Sequence, residues 1–204
     1  MMSYSGNQLN CAMKLAIVLI MLVGIAPVAY GAPTSRPSDQ GPALPDLQNI
    51  ERHPLDVQAG HVSVIIWIGV DCPISNAYAP EINRLCKHYE GKATFYLIHD
   101  DTDITVDVAK KHTKDFGFTC PVLIDKHHVF SKLLDAGVTP ECAVIAPGGK
   151  MVYRGRISDL YYGLGQRRFK ATTHELADAM DDVLAGRDVK VTRTKVVGCT
   201  IDQS

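Results

Sequence analysis

The chain has 204 residues, 46% hydrophobic and 21% charged, with a formal net charge of -1. That length and composition suffice for one globular domain with a full core plus appendages. No basic excess points to nucleic acid, and no block of like charge marks a tail, so a nucleic-acid partner is not expected.

In chain order, Lys14 precedes an apolar run over 15–28, followed by the small residues Ala29 and Gly31. This is the order of a secretory signal peptide, and 1–31 is read as one, cleaved after Gly31. The run is short beside the about 20 residues of a spanning helix. It is continuous enough over 13–29 to insert, so the alternative is an uncleaved anchor, and that segment is the one route to a membrane. Cys11 lies before the run, whereas a lipid-bearing cysteine would follow it. Residues 32–46 read as a linker, being rich in Pro, Ser and Gly. The mature chain is therefore expected outside the cytoplasm, periplasmic or extracellular, where disulfides form. Five of the six cysteines follow position 31, an odd number that leaves at least one thiol unpaired within a monomer.

Residues 61–70 carry Val62, Val64, Ile65, Ile66, Trp67 and Ile68, a near-continuous apolar run expected for a strand covered on both faces. Asp71 and Cys72 break it. Pro73 fixes φ near the helical value and lacks an N–H that a helix start would orphan, so it predicts a helix beginning there. Ile74, Tyr78, Ile82, Leu85 and Tyr89 recur at helical spacing toward Gly91, with Pro80 predicting a kink. Cys72 thus stands at the positive end of a helix at a sheet edge, a placement that lowers a thiol's pKa. Asp71 beside it acts in the opposite sense.

The remaining chain alternates: a strand over 93–98 ending at His99 and Asp100, a helix over 106–116, a short strand over 121–124 and a short helix over 128–136. After Val138-Thr139-Pro140 come a strand over 142–146, a Pro-Gly-Gly-Lys turn and a strand over 151–156, read as an antiparallel hairpin. Residues 161–168 read as a loop. A closing helix over 173–185 places Leu176, Met180, Val183 and Leu184 on one side, with Thr172 or Thr173 and Glu175 as a capping signal. Strands alternating with helices and then a hairpin imply an α/β fold, a mixed sheet flanked by helices. The domain is bounded at 47–186, and 187–204 is a C-terminal tail carrying Cys199.

Three local patterns carry a resemblance: the strand ending in Asp71-Cys72-Pro73-Ile74-Ser75-Asn76, the Thr139-Pro140 pair before a strand, and the Gly-Gly hairpin running into Tyr153-Arg154-Gly155-Arg156. Together they resemble the thioredoxin fold in its redoxin form, related to the alkyl hydroperoxide reductase and thiol-specific antioxidant proteins and to extracytoplasmic thiol–disulfide reductases. The resemblance implies a thioredoxin-like three-layer sandwich, a cis Pro140 lying against Cys72, and thiol–disulfide exchange or peroxide reduction through Cys72. It implies a protein thiol or disulfide, or a peroxide, as partner; no cofactor and no metal is expected.

Two departures stand out. Thioredoxin-like reductases carry a second cysteine where this chain has Ser75, and a serine resolves no mixed disulfide; its hydroxyl is expected instead to donate to the Cys72 thiolate. Peroxidases of the family carry a proline and a threonine where this chain has Ile65 and Gly69. Resolution must come from elsewhere. Cys86 lies on the order of 21 Å along the same helix at ~1.5 Å per residue, beyond the ~7 Å between Cα atoms that a disulfide allows. It reads as a small hydrophobe on the helix's inner face, and Cys120 as a buried core residue. Cys142, two residues after Pro140, is a candidate neighbour of Cys72. Cys199, preceded by Gly198 on an arm able to reach the active edge, is a candidate resolving thiol, with Cys142 or an external thiol as the alternatives.

His99 is a candidate base or a solvated strand end, His127 and His128 read as surface residues, and Arg154 and Arg156 as a pair sharing one face. Two alternatives accompany the redox reading. One is a copper-handling thiol protein, which needs Cys72, His99 and Cys142 or Cys199 to converge. The other is a binding module that keeps the fold without turnover.

Overall fold

The computed structural model describes residues 41–203, so the signal segment 1–31 and the first part of the expected linker lie outside the described residues. In chain order the elements are β1 (Leu44–Pro45), β2 (Glu51–Arg52), β3 (Val62–Ile68), α1 (Pro73–Ala77), α2 (Ala79–His88), β4 (Ala93–His99), α3 (Val106–Phe116) and β5 (Val122–Ile124). They continue with α4 (Val129–Leu134), β6 (Val138–Thr139), β7 (Glu141–Ala146), β8 (Lys150–Gly155), β9 (Tyr161–Gly163), β10 (Gln166–Arg167), α5 (Glu175–Leu184) and β11 (Cys199–Thr200). Among the described residues no helix is long and apolar enough to cross a membrane.

The central sheet has five strands in the order β5-β4-β3-β7-β8. β4 runs parallel to β3 and to β5, whereas β7 is antiparallel to both β3 and β8, so the sheet is mixed. All seven residues of β3 are buried, as a strand covered on both faces must be. Val64, Ile66 and Ile68 face Ile82, Leu85, Leu176 and Met180 of α2 and α5. Ile65 and Trp67 face the other way, onto Phe130 and Leu134 of α4 and onto Ile201 of the tail. Period-two alternation along one apolar strand thus serves two cores, one on each side of the sheet. This is the thioredoxin-like α/β sandwich that the resemblance implied.

Both outer strands are covered by the chain itself. Leu47 N–H donates to the Val122 carbonyl of β5 at 3.1 Å, with Asp46 bridged to Leu123. On the far side, Arg154 N–H of β8 donates to Thr192 at 3.0 Å and its carbonyl accepts from Thr194 N–H at 3.2 Å.

Several expectations change. The single kinked helix is two helices, divided at Tyr78, because Pro80 has no N–H for the Asn76 carbonyl and the chain must turn first. Leu44 and Pro45, inside the segment read as linker, pair with β2, and the 161–168 loop contains the small antiparallel hairpin β9–β10. The capping box at α5 does not form. His174 occupies the cap without a side-chain bond, since the Asp159 carboxylate has taken the N–H groups of Thr172 and Thr173 at 2.6 and 3.0 Å.

Candidate active site

Cys72 caps α1, and its sulfur accepts from Ser75 N–H at 3.4 Å. The thiol donates to the Thr139 carbonyl at 3.1 Å, and the Thr139–Pro140 peptide bond is cis. The residue is only 4% exposed, opening onto a cleft of about 430 Å³ between Gly69–Cys72, Asp100–Asp103 and the tail residues 199–202. Cys199 lines the same cleft. It is held there by β11, which pairs antiparallel with β6 in the register Cys199↔Thr139 and Thr200↔Val138. Ile201 N–H donates to Gly137 at 2.9 Å, the Gln203 amide to Ala136 at 2.7 Å, and Ile201 sinks into the second core. Gly198 makes the docking possible, since a Cβ there would fall 2.8 Å from the Thr139 carbonyl carbon and closer still to its oxygen.

The two sulfurs divide their proton unequally. Burial pushes the Cys72 thiol up, but the Cys199 S–H, the Thr139 hydroxyl and the N–H groups of Ser75 and Cys199 all face the sulfur and together hold its pKa below the ordinary value. Cys199 is pushed up to about 11, by burial and by the hydrogen bond its S–H donates to the Cys72 sulfur. Of the two, Cys72 is therefore the more readily ionised and Cys199 the better keeper of its proton. This local set of donors, rather than a long helix dipole, supports the thiolate, because α1 is only five residues long.

Of the residues singled out in the sequence, Cys72, Cys199, Ser75 and Pro140 lie in one neighbourhood. Ser75 contributes its backbone N–H to the sulfur, whereas its hydroxyl oxygen accepts from Gly69 N–H at 3.3 Å. In the sequence pattern Thr139 is only the residue before Pro140, yet its hydroxyl and carbonyl both face Cys72. At Gly69 an added Cβ would lie 3.1 Å from the Thr139 hydroxyl and 3.2 Å from Cys72 Cβ, so the space a longer side chain would need is taken from across the cleft.

Other readings are corrected. Cys142 is buried in β7, its thiol donating to the Gly155 carbonyl at 3.1 Å, and burial raises its pKa far above the usual range. It does not line the cleft. Cys86 and Cys120, read as two separate buried residues, form a disulfide with Cα atoms 6.6 Å apart. Asn83 of α2 donates to the Phe116 carbonyl at 3.0 Å, bringing α2 against the segment that leads into β5.

His99 is neither a solvated strand end nor a base for Cys72. It is buried, 3.3 Å from a ring nitrogen of His112, and burial next to that ring lowers its pKa to about 3. His112 in turn reaches Asn76 Oδ1 at 2.8 Å, and Asn76 donates to the Val70 carbonyl at 2.8 Å. A polar strut thus runs from β4 and α3 to the loop that carries Cys72. His128 is buried rather than on the surface, facing Asp100 at 3.1 Å, while His127 is exposed. Arg154 is buried against Glu141 and Asp135 near α4, and Arg156 pairs with Glu175 of α5, so the two guanidinium groups do not share a face. Among the described residues no group of three His, Cys, Asp or Glu side chains is placed to hold a metal ion.

No protein-family model and no curated protein matches this chain. Among solved structures it is similar to an uncharacterized conserved protein from Geobacillus kaustophilus, with 25% identity, 79% of this chain and 88% of that chain covered, and a TM-score of 0.70. It is similar also to a hypothetical protein from Sinorhizobium meliloti 1021, at 22% identity, 79% and 90% coverage and a TM-score of 0.68. A secreted Mycobacterium tuberculosis disulfide oxidoreductase homologous to E. coli DsbE overlaps less, at 16% identity, 57% and 84% coverage and a TM-score of 0.47. The likeness is one of fold.

Proposed function

We propose that this chain is a thiol-dependent oxidoreductase that works outside the cytoplasm, with Cys72 as the attacking thiolate and Cys199 as the resolving thiol. One observation carries the reading: the S–H and N–H of Cys199 face the Cys72 sulfur, with the pKa of one thiol lowered and of the other raised. In the mechanism, the Cys72 thiolate attacks one sulfur of a partner disulfide, forming a mixed disulfide and releasing one partner thiolate. That thiolate takes up a proton, and Cys199, deprotonated in turn, attacks the Cys72 sulfur. A Cys72–Cys199 disulfide forms and the second partner thiolate leaves. Two electrons pass from the protein pair to the partner disulfide, and the reverse sequence oxidises a dithiol. The Cys86–Cys120 disulfide and the signal-like N-terminus support work in an oxidising compartment.

A second reading, peroxide reduction, is favoured by the Thr139 hydroxyl beside the sulfur. The thiolate would then attack a peroxide oxygen to give a sulfenic acid and an alcohol or water, and Cys199 would condense with the sulfenic acid, releasing water.

Peptide mass spectrometry without reduction, after one equivalent of oxidant, tests the shared step. A Cys72–Cys199 link is expected, and its absence overturns the pairing. Stopped-flow rates with hydrogen peroxide against a neutral disulfide separate the two oxidants.

A further inference from the structure

The tail occupies the backbone edge beside Cys72 through which an extended polypeptide would bind by strand addition. β11 pairs with β6 opposite Thr139, the carbonyls of Ala136 and Gly137 are both used by the tail, and Ile201 fills an apolar position under Trp67 and Phe130. What remains open to the sulfur is the cleft of about 430 Å³, the size of a small-molecule site. Its rim carries the exposed Asp71, Asp101 and Asp103, and no Lys, Arg or His lines it.

We infer that, with the tail docked, the site takes a low-molecular-weight disulfide that is neutral or cationic, and that polypeptide and anionic disulfides are kept out by the tail strand and the aspartate rim. This rests on the Cys72–Cys199 couple proposed above and names its oxidant class. The reaction balances as R–S–S–R plus two protein thiols giving two R–SH and one Cys72–Cys199 disulfide. The small disulfide is reduced by two electrons while the protein pair is oxidised. An extended polypeptide reaches Cys72 only when β11 leaves β6.

The test is stopped-flow oxidation of the reduced full chain by cystamine, bis(2-hydroxyethyl) disulfide, oxidised glutathione and insulin. Cystamine is expected to exceed oxidised glutathione by on the order of tenfold or more at low ionic strength, with the gap closing at 1 M salt, where screening acts within about 3 Å. Insulin is expected to react far more slowly than bis(2-hydroxyethyl) disulfide. Gly198→Val, which expels the strand, should open Cys72 to insulin, whereas Cys199→Ser, which keeps the strand, should trap the small mixed disulfide and still refuse insulin. Insulin matching the neutral disulfide on the wild-type chain, or oxidised glutathione matching cystamine at low salt, would overturn the inference, and neither comparison needs a variant. Failure of bis(2-hydroxyethyl) disulfide to produce any Cys72–Cys199 bond would instead remove the couple on which the inference rests.

Discussion

Cys86 and Cys120 are joined, whereas Cys72 and Cys199 face each other as free thiols, although each pair takes one sulfur from the helical segment after β3 and the other from farther along the chain. The surroundings differ. Around Cys72 stand a hydroxyl, two backbone N–H groups and a second S–H, all able to support negative charge. Cys142, a third thiol in the same domain, shows the opposite limit, since full burial beside Glu141 keeps it protonated. Bringing sulfurs together makes a bond possible; donors aimed at one of them make it an attacking group.

Removing either pair should separate these roles. Cys72→Ser is expected to bring disulfide exchange to the uncatalysed background, read as thiol release from bis(2-hydroxyethyl) disulfide. Next in size, Cys86→Ala with Cys120→Ala should cost about 3–4 kcal/mol by loop entropy for a separation of 34 residues. Denaturant unfolding measures that loss, and the pH profile of Cys72 alkylation should stay where it is. If that profile moved, the two pairs would not be independent.

A smaller effect sharpens the contrast at the open pair. Cys199→Ala removes the S–H that supports the Cys72 thiolate, so the Cys72 pKa should rise and the alkylation profile shift to higher pH. The sign follows from the lowered pKa: the donors favour the charged form, and losing one favours the protonated form. An unshifted profile would mean that Ser75 and Thr139 suffice. Smallest is Cys142→Ala, expected to cost about 1–2 kcal/mol as a buried truncation, with alkylation of Cys72 unchanged.

Much of this architecture was legible from local pattern. The apolar run ending at Cys72, the proline that opens α1, the Gly-Gly hairpin and the periodicity of α5 are short-range signals, and each element appears within a few residues of its expected place. Less legible was whatever depends on contacts between distant segments. Pro80 gave a kink in the sequence but a full break in the chain, because Tyr78 could turn there and find a bond to Ser158 at 3.0 Å. His99, His128 and Arg154 looked solvated because each is polar and ends or alternates along an element, yet each is buried with a partner supplied from elsewhere in the fold. The Cys86–Cys120 bond and the role of Thr139 belong to the same class. Two long-range contacts at Cys72 did have a local sign: the Thr139-Pro140 pair, and Gly198-Cys199, a residue without a side chain beside a thiol.

The covered flanks of the central sheet have a further consequence. A β-sheet with bare outermost strands invites another copy to add on, a route to aggregation. Here the segment around Asp46 and Leu47 screens one flank and Thr192–Thr194 the other, so shortening the chain from either end would trade solubility as well as chemistry. A deletion before position 192 strips the β8 flank and removes Cys199 in a single cut, and any precipitate it produced would say nothing about redox function. Substitution at Gly198 leaves that flank dressed.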